Sequence, residues 1–292
     1  MAGIQSRYLL RYCFGRTQIH LAAVRFPSTI TMTTRVAAAA RLAYLEVPAG
    51  PAGLRRSSRN LPQHLKEKLE APKSEREPNV ETLPPIVFKK RIRYTSDFFE
   101  CAQICDNLIQ EVTHSQKEFV PVGFDLEWPF NFQTGSGKTA LAQICLEESV
   151  CYLLHIYSLK KLPAAFVQFL SHPKVKLIGV NIKNDVWKLG RDFQEFPARK
   201  VVENNCWDCG TYANRVLKRS CRWSLAKLTG YLLRKKISKN PEVRMSKWHV
   251  QPLSDAQKTY AATDAYVSLL LHTTLADLDK TQSQNENSIN SL

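Results

Sequence analysis

The stretch Val120-Pro-Val-Gly-Phe-Asp-Leu-Glu-Trp128 reads as a β-strand and carries the strongest clue to both fold and chemistry. Side chains alternate along a strand, so Val122, Phe124 and Leu126 share one face while Asp125 and Glu127 share the other. Two carboxylates on one face repel each other unless a cation lies between them, and no Lys or Arg flanks them. A solvated edge strand would also show a D-x-E pattern. Here the flanks, Pro121 to Phe124 and Trp128 to Phe130, are apolar on both sides, as expected at the end of a central strand.

Outward from this strand, Ala140–Leu146 and Val150–Ile156 predict two more strands joined in a hairpin by Glu147-Glu148-Ser149. The spacing of Leu162, Phe166, Phe169 and Leu170 predicts a helix over 162–171. Residues 175–182 predict a buried strand, followed by a helix over 183–193, and further helices are expected at 209–218, 223–234 and 254–277. The last opens on a capping box formed by Ser254 and Gln257. Three antiparallel strands, a crossover helix, a fourth strand and then helices imply an α/β layered fold around a mixed sheet. The folded domain is expected at 86–278, with a polar C-terminal tail at 279–292.

The chain has 292 residues, 44% hydrophobic and 23% charged, which suits a sizeable core and excludes wholesale disorder. No apolar run approaches the ~20 residues of a membrane-spanning helix. The eight scattered cysteines read as reduced thiols. The formal charge of +15 is uneven: residues 1–93 hold 17 basic against 6 acidic side chains and residues 215–247 hold 11 against 1, leaving 13 against 19 elsewhere. A mildly acidic body with a dense basic stretch fits a polyanion partner. Residues 1–45 are Arg-rich and free of acid before Glu46, the composition of a mitochondrial targeting segment. The Pro-rich segment 46–85 reads as a disordered linker, and its Arg55-Arg56-Ser57-Ser58-Arg59 cluster, with Lys89-Lys90-Arg91, matches nuclear import signals.

Three further side chains extend the acidic pattern. Asp185 falls in the first turn of the helix after the buried strand, a position carboxylates also favour for the helix dipole alone. Tyr260 and Asp264 lie four apart on the last helix, with small Ala261 and Ala262 between them. Each signal is unspecific, and the combination in this order is not. Four acids from strand ends and helices can hold a pair of Mg²⁺ or Mn²⁺ ions roughly 3.5–4 Å apart, as in-line attack on a phosphodiester requires. Other signals are weaker. Gly135-Ser-Gly-Lys-Thr139 lacks the first glycine of a phosphate-binding loop (Phe132 stands there) and precedes a strand. Cys206-Trp-Asp-Cys209 is a lone pair without zinc spacing, and His249, just before the last helix, reads as structural. In the basic run, Arg222, Lys235 and Lys247 are candidates for a phosphate backbone, and Trp187 and Trp248 for base stacking, with Trp223 assigned to the core.

Gly-Phe-Asp-Leu-Glu-Trp (123–128), Gly-Val-Asn-Ile-Lys-Asn-Asp (179–185) and Tyr-Ala-Ala-Thr-Asp (260–264) resemble the three motifs of the DEDDy 3′–5′ exonucleases, a family with an RNase H-like, DnaQ-type fold. The likeness is strongest to the Werner-type exonuclease domains that stand alone without a helicase. It is strengthened by residues 128–138, 185–193 and 244–250, and it spans about residues 86–278. It implies that Asp125, Glu127, Asp185 and Asp264 are metal ligands, that Tyr260 orients the attacking water, and that two Mg²⁺ or Mn²⁺ ions serve each site. The implied reaction is release of nucleoside 5′-monophosphates from DNA 3′ ends in replication or repair. An RNA-trimming enzyme with the same site, and an inactive nucleic-acid-binding module, are the alternatives. The chain has no room for a helicase, so a helicase in trans and repair factors are the expected protein partners. The family and basic clusters point to the nucleus, and residues 1–45 to the mitochondrion.

Overall fold

The computed structural model describes residues 79–290, so the expectations for 1–45 and for most of 46–85 lie outside the described residues. After a 3₁₀ turn at Val80–Thr82, the elements run β1 (Arg91–Thr95), α1 (Phe98–His114), β2 (Val120–Glu127), β3 (Phe130–Asn131), β4 (Gly135–Ser136), β5 (Leu141–Glu147) and β6 (Val150–His155). They continue with α2 (Ala164–Leu170), β7 (Val175–Gly179), α3 (Ile182–Asp192), α4 (Ala198–Asn204), β8 (Cys206–Asp208), α5 (Cys209–Val216), α6 (Leu225–Leu233), α7 (Pro241–Arg244) and α8 (Asp255–Asn290). Six strands form a mixed sheet in the order β1-β6-β5-β2-β7-β8, and β3 and β4 form a separate two-stranded ribbon. β2 pairs antiparallel with β5 and parallel with β7, while β1 and β8 join the two edges in parallel.

The alternation in β2 divides the two faces as its sequence requires. Val122, Phe124 and Leu126 enter a core built with α1, α2 and α3. Gly123, Asp125 and Glu127 point the other way, toward α8, whose Ala261, Ala262 and Ala265 pack on Leu141, Cys145 and Leu153 of the neighbouring strands. A third cluster joins α5 and α6 to the distal part of α8 through Val267, Leu271 and Leu275. The expected capping box is present: Gln257 N donates to Ser254 Oγ at 3.2 Å and Ser254 N to Gln257 Oε1 at 2.9 Å.

Several boundaries differ from expectation for identifiable reasons. β7 ends at Gly179 rather than residue 182, because Asn181 adopts a left-handed conformation (φ 61°) that turns the chain into α3. β8 is an edge strand of three residues, too short to show an alternating pattern, whereas the five-residue edge strand β1 does alternate, Arg91-Ile92-Arg93-Tyr94, inside a stretch read for its basic charge. α1 is an omission of a different kind. Its buried Cys101, Ile104, Cys105, Leu108 and Val112 have helical spacing, and Asp97 accepts from Glu100 N at 2.8 Å as an N-cap. The segment 279–292 continues α8 through Asn290, and Asp279 accepts from Arg215 at 2.9 Å and from the Tyr212 hydroxyl at 3.2 Å. Ordered chain also begins inside the 46–85 segment, where Ile86 N donates to Lys236 O and Lys236 N to Pro84 O, both at 2.9 Å.

The glycine-rich connection 135–139 is bound into the fold. Lys138 Nζ donates to the carbonyls of Tyr157 (3.1 Å) and Leu159 (2.6 Å). Asp192 of α3 accepts from Thr139 N (2.7 Å) and Oγ1 (2.6 Å), and it pairs with Lys188, which also donates to Gly137 O (2.7 Å). These contacts fasten the ribbon to α3, and the lysine a nucleotide-binding loop would need is committed to carbonyl oxygens.

The approach of α8 to β2 is close enough to require glycine. A Cβ at Gly123 would lie 2.0 Å from the Ala265 carbonyl oxygen, a backbone atom that no rotamer change can move. Overpacking of this kind costs about 1–3 kcal/mol or more. Gly123→Ala is therefore expected to lower the melting temperature by several degrees in a circular-dichroism melt, and an unchanged midpoint would contradict the packing described.

Candidate active site

The C-terminal end of β2 and the second turn of α8 meet under this contact. Asp125, Glu127 and Asp264 each place a carboxylate oxygen within 4.8 Å of the others. Asp185 and Tyr260 line the same cleft of about 520 Å³, together with Trp128, Phe130, Arg244 and Met245. All five side chains singled out by the sequence thus share one cavity, although Asp185 stands outside the tight triad. Its place is set by the β7–α3 turn: Asn181 N donates to Asp208 Oδ2 at 2.5 Å, and Asp208 Oδ1 caps α5 through Thr211 N at 2.8 Å. One aspartate therefore braces the starts of two helices. Ala261 and Ala262, the small residues between Tyr260 and Asp264, are fully buried against the sheet.

Crowding and burial raise the proton affinity of every acid in the cleft. Burial pushes Asp125 up to about 6, opposed by the hydrogen bond its Oδ1 accepts from Leu126 N at 2.9 Å. Glu127 is held well above the usual carboxylate range by burial and by the charges of Asp125, Asp264 and Asp185. Asp185 and Asp264 are likewise raised, by burial first and then by Asp125. Arg244 acts in the opposite sense on Glu127 and Asp264. The Tyr260 hydroxyl is pushed up by burial and by the charges of Asp264, Glu127 and Asp125, so it stays un-ionised at neutral pH. A cluster of hard oxygen donors that repel one another has the chemistry to hold a cation, and its donor set fits Mg²⁺ or Mn²⁺.

The nucleic-acid candidates fare differently. Trp248 is fully buried, and its Nε1 donates to Arg244 O at 3.1 Å, so it has no face free to stack on a base. It supports the short helix α7 instead, and Gln257 Nε2 holds the following residue stretch through Ser246 Oγ at 2.9 Å. Trp187 is 41% exposed but lies beside Phe196, Pro197, Arg199 and Lys200, not among the cleft residues. Arg222, Lys235 and Lys247 are exposed without lining the cleft, whereas Arg244 and Lys239 of the same basic run do line it. The signal for Arg244 was available: Asn240 caps and Pro241 opens a one-turn helix that ends on it. His249 packs on the Tyr157 ring, and Trp223 is buried with Nε1 donating to Asn214 Oδ1 at 2.9 Å, as its core assignment requires.

A family model described as 3′–5′ exonuclease matches residues 97–278, a span that contains every residue of this site. The chain belongs to the 3′–5′ exonuclease family. A curated Drosophila melanogaster protein named 3′–5′ exonuclease is 45% identical over 206 residues, covering 70% of this chain and 58% of the relative. The chain thus spans less than two thirds of the length of that relative. Among solved structures, Trypanosoma brucei RNase D in complex with RNA U12 superposes with a TM-score of 0.52 at 17% identity, over 64% of this chain and 63% of that one. Escherichia coli RNase D, described as an exoribonuclease involved in structured RNA processing, gives 0.52 at 17% identity, over 66% and 46%. These likenesses concern the fold, which is the RNase H-like exonuclease fold.

The raised proton affinities carry a stability consequence. Metal-free folded protein holds protons on these acids that the unfolded chain releases near pH 4. Stability from this source is present at acid pH and is lost as pH rises through about 6, where Asp125 ionises, and beyond for its neighbours. The melting temperature of EDTA-treated protein should therefore fall more steeply between about pH 5 and pH 7 for wild type than for Asp125→Asn. Mn²⁺ should restore it at the upper end of that range, and parallel pH profiles for the two proteins would contradict this electrostatic picture.

Proposed function

We propose that the chain is a metal-dependent 3′–5′ exodeoxyribonuclease that releases nucleoside 5′-monophosphates from DNA ends. The observation that carries this reading is the convergence of four acids and an un-ionised tyrosine in one cleft of a 3′–5′ exonuclease family member. Asp125, Glu127 and Asp264 would hold one divalent cation, and Asp125 with Asp185 a second. Mg²⁺ or Mn²⁺ supplies charge neutralisation at the phosphate and acidifies water.

The chain's own groups position the reactants. Tyr260, un-ionised at neutral pH, would orient the attacking water through its hydroxyl. The water oxygen forms a bond to the last phosphorus and the P–O3′ bond breaks, leaving a 3′-hydroxyl on the shortened strand and a 5′-phosphate on the released nucleoside. The Arg244 guanidinium, at the cleft wall, is placed for charge-assisted hydrogen bonds to the phosphate backbone. Contacts of this kind hold any sequence alike, as end trimming needs.

The DNA assignment rests on the Werner-type motifs, and the nuclear assignment on the family resemblance and short basic clusters. A fluorescent fusion with and without residues 1–31 tests the latter. For the reaction, matched DNA and RNA strands of one sequence, labelled at the 5′ end, should be shortened stepwise in Mg²⁺ with DNA preferred and no cleavage in EDTA. Faster digestion of RNA would reassign the substrate.

Asp125→Ala and Asp264→Ala each remove a ligand whose loss, at several kcal/mol of transition-state stabilisation, should cut kcat on the order of 10³-fold while folding persists. Tyr260→Phe should cost less, roughly 10²-fold. Arg244→Ala should raise KM about tenfold with a smaller change in kcat. Unchanged turnover in either aspartate variant would remove the two-metal reading.

A further inference from the structure

One buried polar side chain beside the acids has no partner. Gln143, in the middle of β5, is wholly inaccessible, and neither its Oε1 nor its Nε2 makes a hydrogen bond among the described residues. An amide sealed from water with both ends unpaired destabilises a fold, so sheet interiors seldom keep one without cause. Hydrophobic side chains surround it on its own face of the sheet. Leu141 and Cys145 flank it along β5, Leu153 stands opposite on β6, and Ala261, Ala262 and Ala265 of α8 close the layer above. Leucine or methionine in that position would satisfy every one of these neighbours.

The register places the exception. Gln143 lies directly across from Asp125 on β2, with Glu127 on the diagonal. Directly opposed residues on one face of an antiparallel pair have Cβ atoms about 4.5–5.5 Å apart, so the Gln143 amide reaches the Asp125 carboxylate by side-chain rotation alone. Asp125 Oδ1 accepts from the amide of Leu126, the next residue in its own strand, and among the described residues no side-chain donor is hydrogen-bonded to this carboxylate.

We propose that Gln143 is a positioning residue: its Nε2 donates to Asp125 when the acidic cluster takes up a divalent cation, orienting that carboxylate toward the ion. The inference rests on the metal-dependent reading of the cleft. Outer partners of ligating groups act this way in metal sites generally, and losing one typically costs 10–100-fold in metal affinity. Pairing the otherwise unpartnered amide with Asp125 would then remove a buried unsatisfied group as the loaded site is ordered.

The test is Gln143→Met, which keeps the length of the side chain, with Gln143→Leu as the second variant. Two measurements are made on each full-length protein: the melting temperature without metal, and the Mn²⁺ dissociation constant by calorimetry. The proposal expects the metal-free melting temperature to rise, Mn²⁺ affinity to fall about tenfold or more, and kcat to fall with KM for DNA little changed. A lower melting temperature with unaltered Mn²⁺ affinity in both variants would make Gln143 a packing residue and overturn the proposal. Should wild-type protein itself fail to bind Mn²⁺, the metal reading falls first and takes this inference with it, whereas wild-type binding that both variants retain sinks the inference alone.

Discussion

The contact between the backbone of α8 and the face of β2 governs this molecule. Gly123 lets the Ala265 carbonyl sit where any other residue would place a side chain. From that contact the register of the site follows. Asp125 and Glu127 stand two and four residues beyond Gly123 on the same face, and Asp264 immediately precedes Ala265 on the helix. Without the missing Cβ the helix would ride outward, and the three carboxylates that now lie within 4.8 Å would separate. Ala261 and Ala262 serve the same end one turn earlier, packing the helix onto the sheet so that Tyr260 faces the cleft beside the acids.

This geometry forces acids together at a free-energy cost that hydrophobic packing must offset. Each carboxylate is desolvated and faces another, and every one of the four is driven toward its protonated form. Hydrogen bonding gives limited relief, from Leu126 N to Asp125 at 2.9 Å. The core clusters on both sides of the sheet hold the strand end rigid against that repulsion. On the metal-dependent reading, a divalent cation would relieve that repulsion and so couple binding to stability, because a ligand that binds only the folded state raises its stability.

Legibility in the sequence followed the length scale of each signal. The central strand, the β5–β6 hairpin, β7 and α8 announce themselves through alternation, apolar runs or a capping box, each sustained over several residues. The acids could be named because their motifs combine a chemical type with a position on a strand or helix. Apart from α1, whose spacing and cap were legible over 17 residues and were passed over, what escaped was short or tertiary. The three residues of β8 acquire strand conformation by pairing with β7, not through any preference of Cys206-Trp-Asp208. Trp248 sits in a basic, polar stretch that gives no sign of burial, and only the folded chain wraps it against α8 and β5. Gln143 was invisible for the same reason: a glutamine in Ala-Gln-Ile-Cys reads as an unremarkable polar interruption until its cross-strand neighbour is known.

The basic run shows how charge density and placement part company. Residues 215–247 are dense in Lys and Arg, and density alone singled out Arg222, Lys235 and Lys247, yet Arg244 and Lys239 are the cations at the cleft. The difference lies in α7, one turn of helix started by Asn240 and Pro241 and held from below by Trp248 and Gln257. Its anchoring gives Arg244 a fixed backbone beside four carboxylates, with Lys239 at the same cleft. Cations farther along the run act at longer range, where salt screens them within about 10 Å. On the proposed function, attraction of a nucleic-acid strand would be spread over the run, while contact with its end would fall to the two cations that line the cleft.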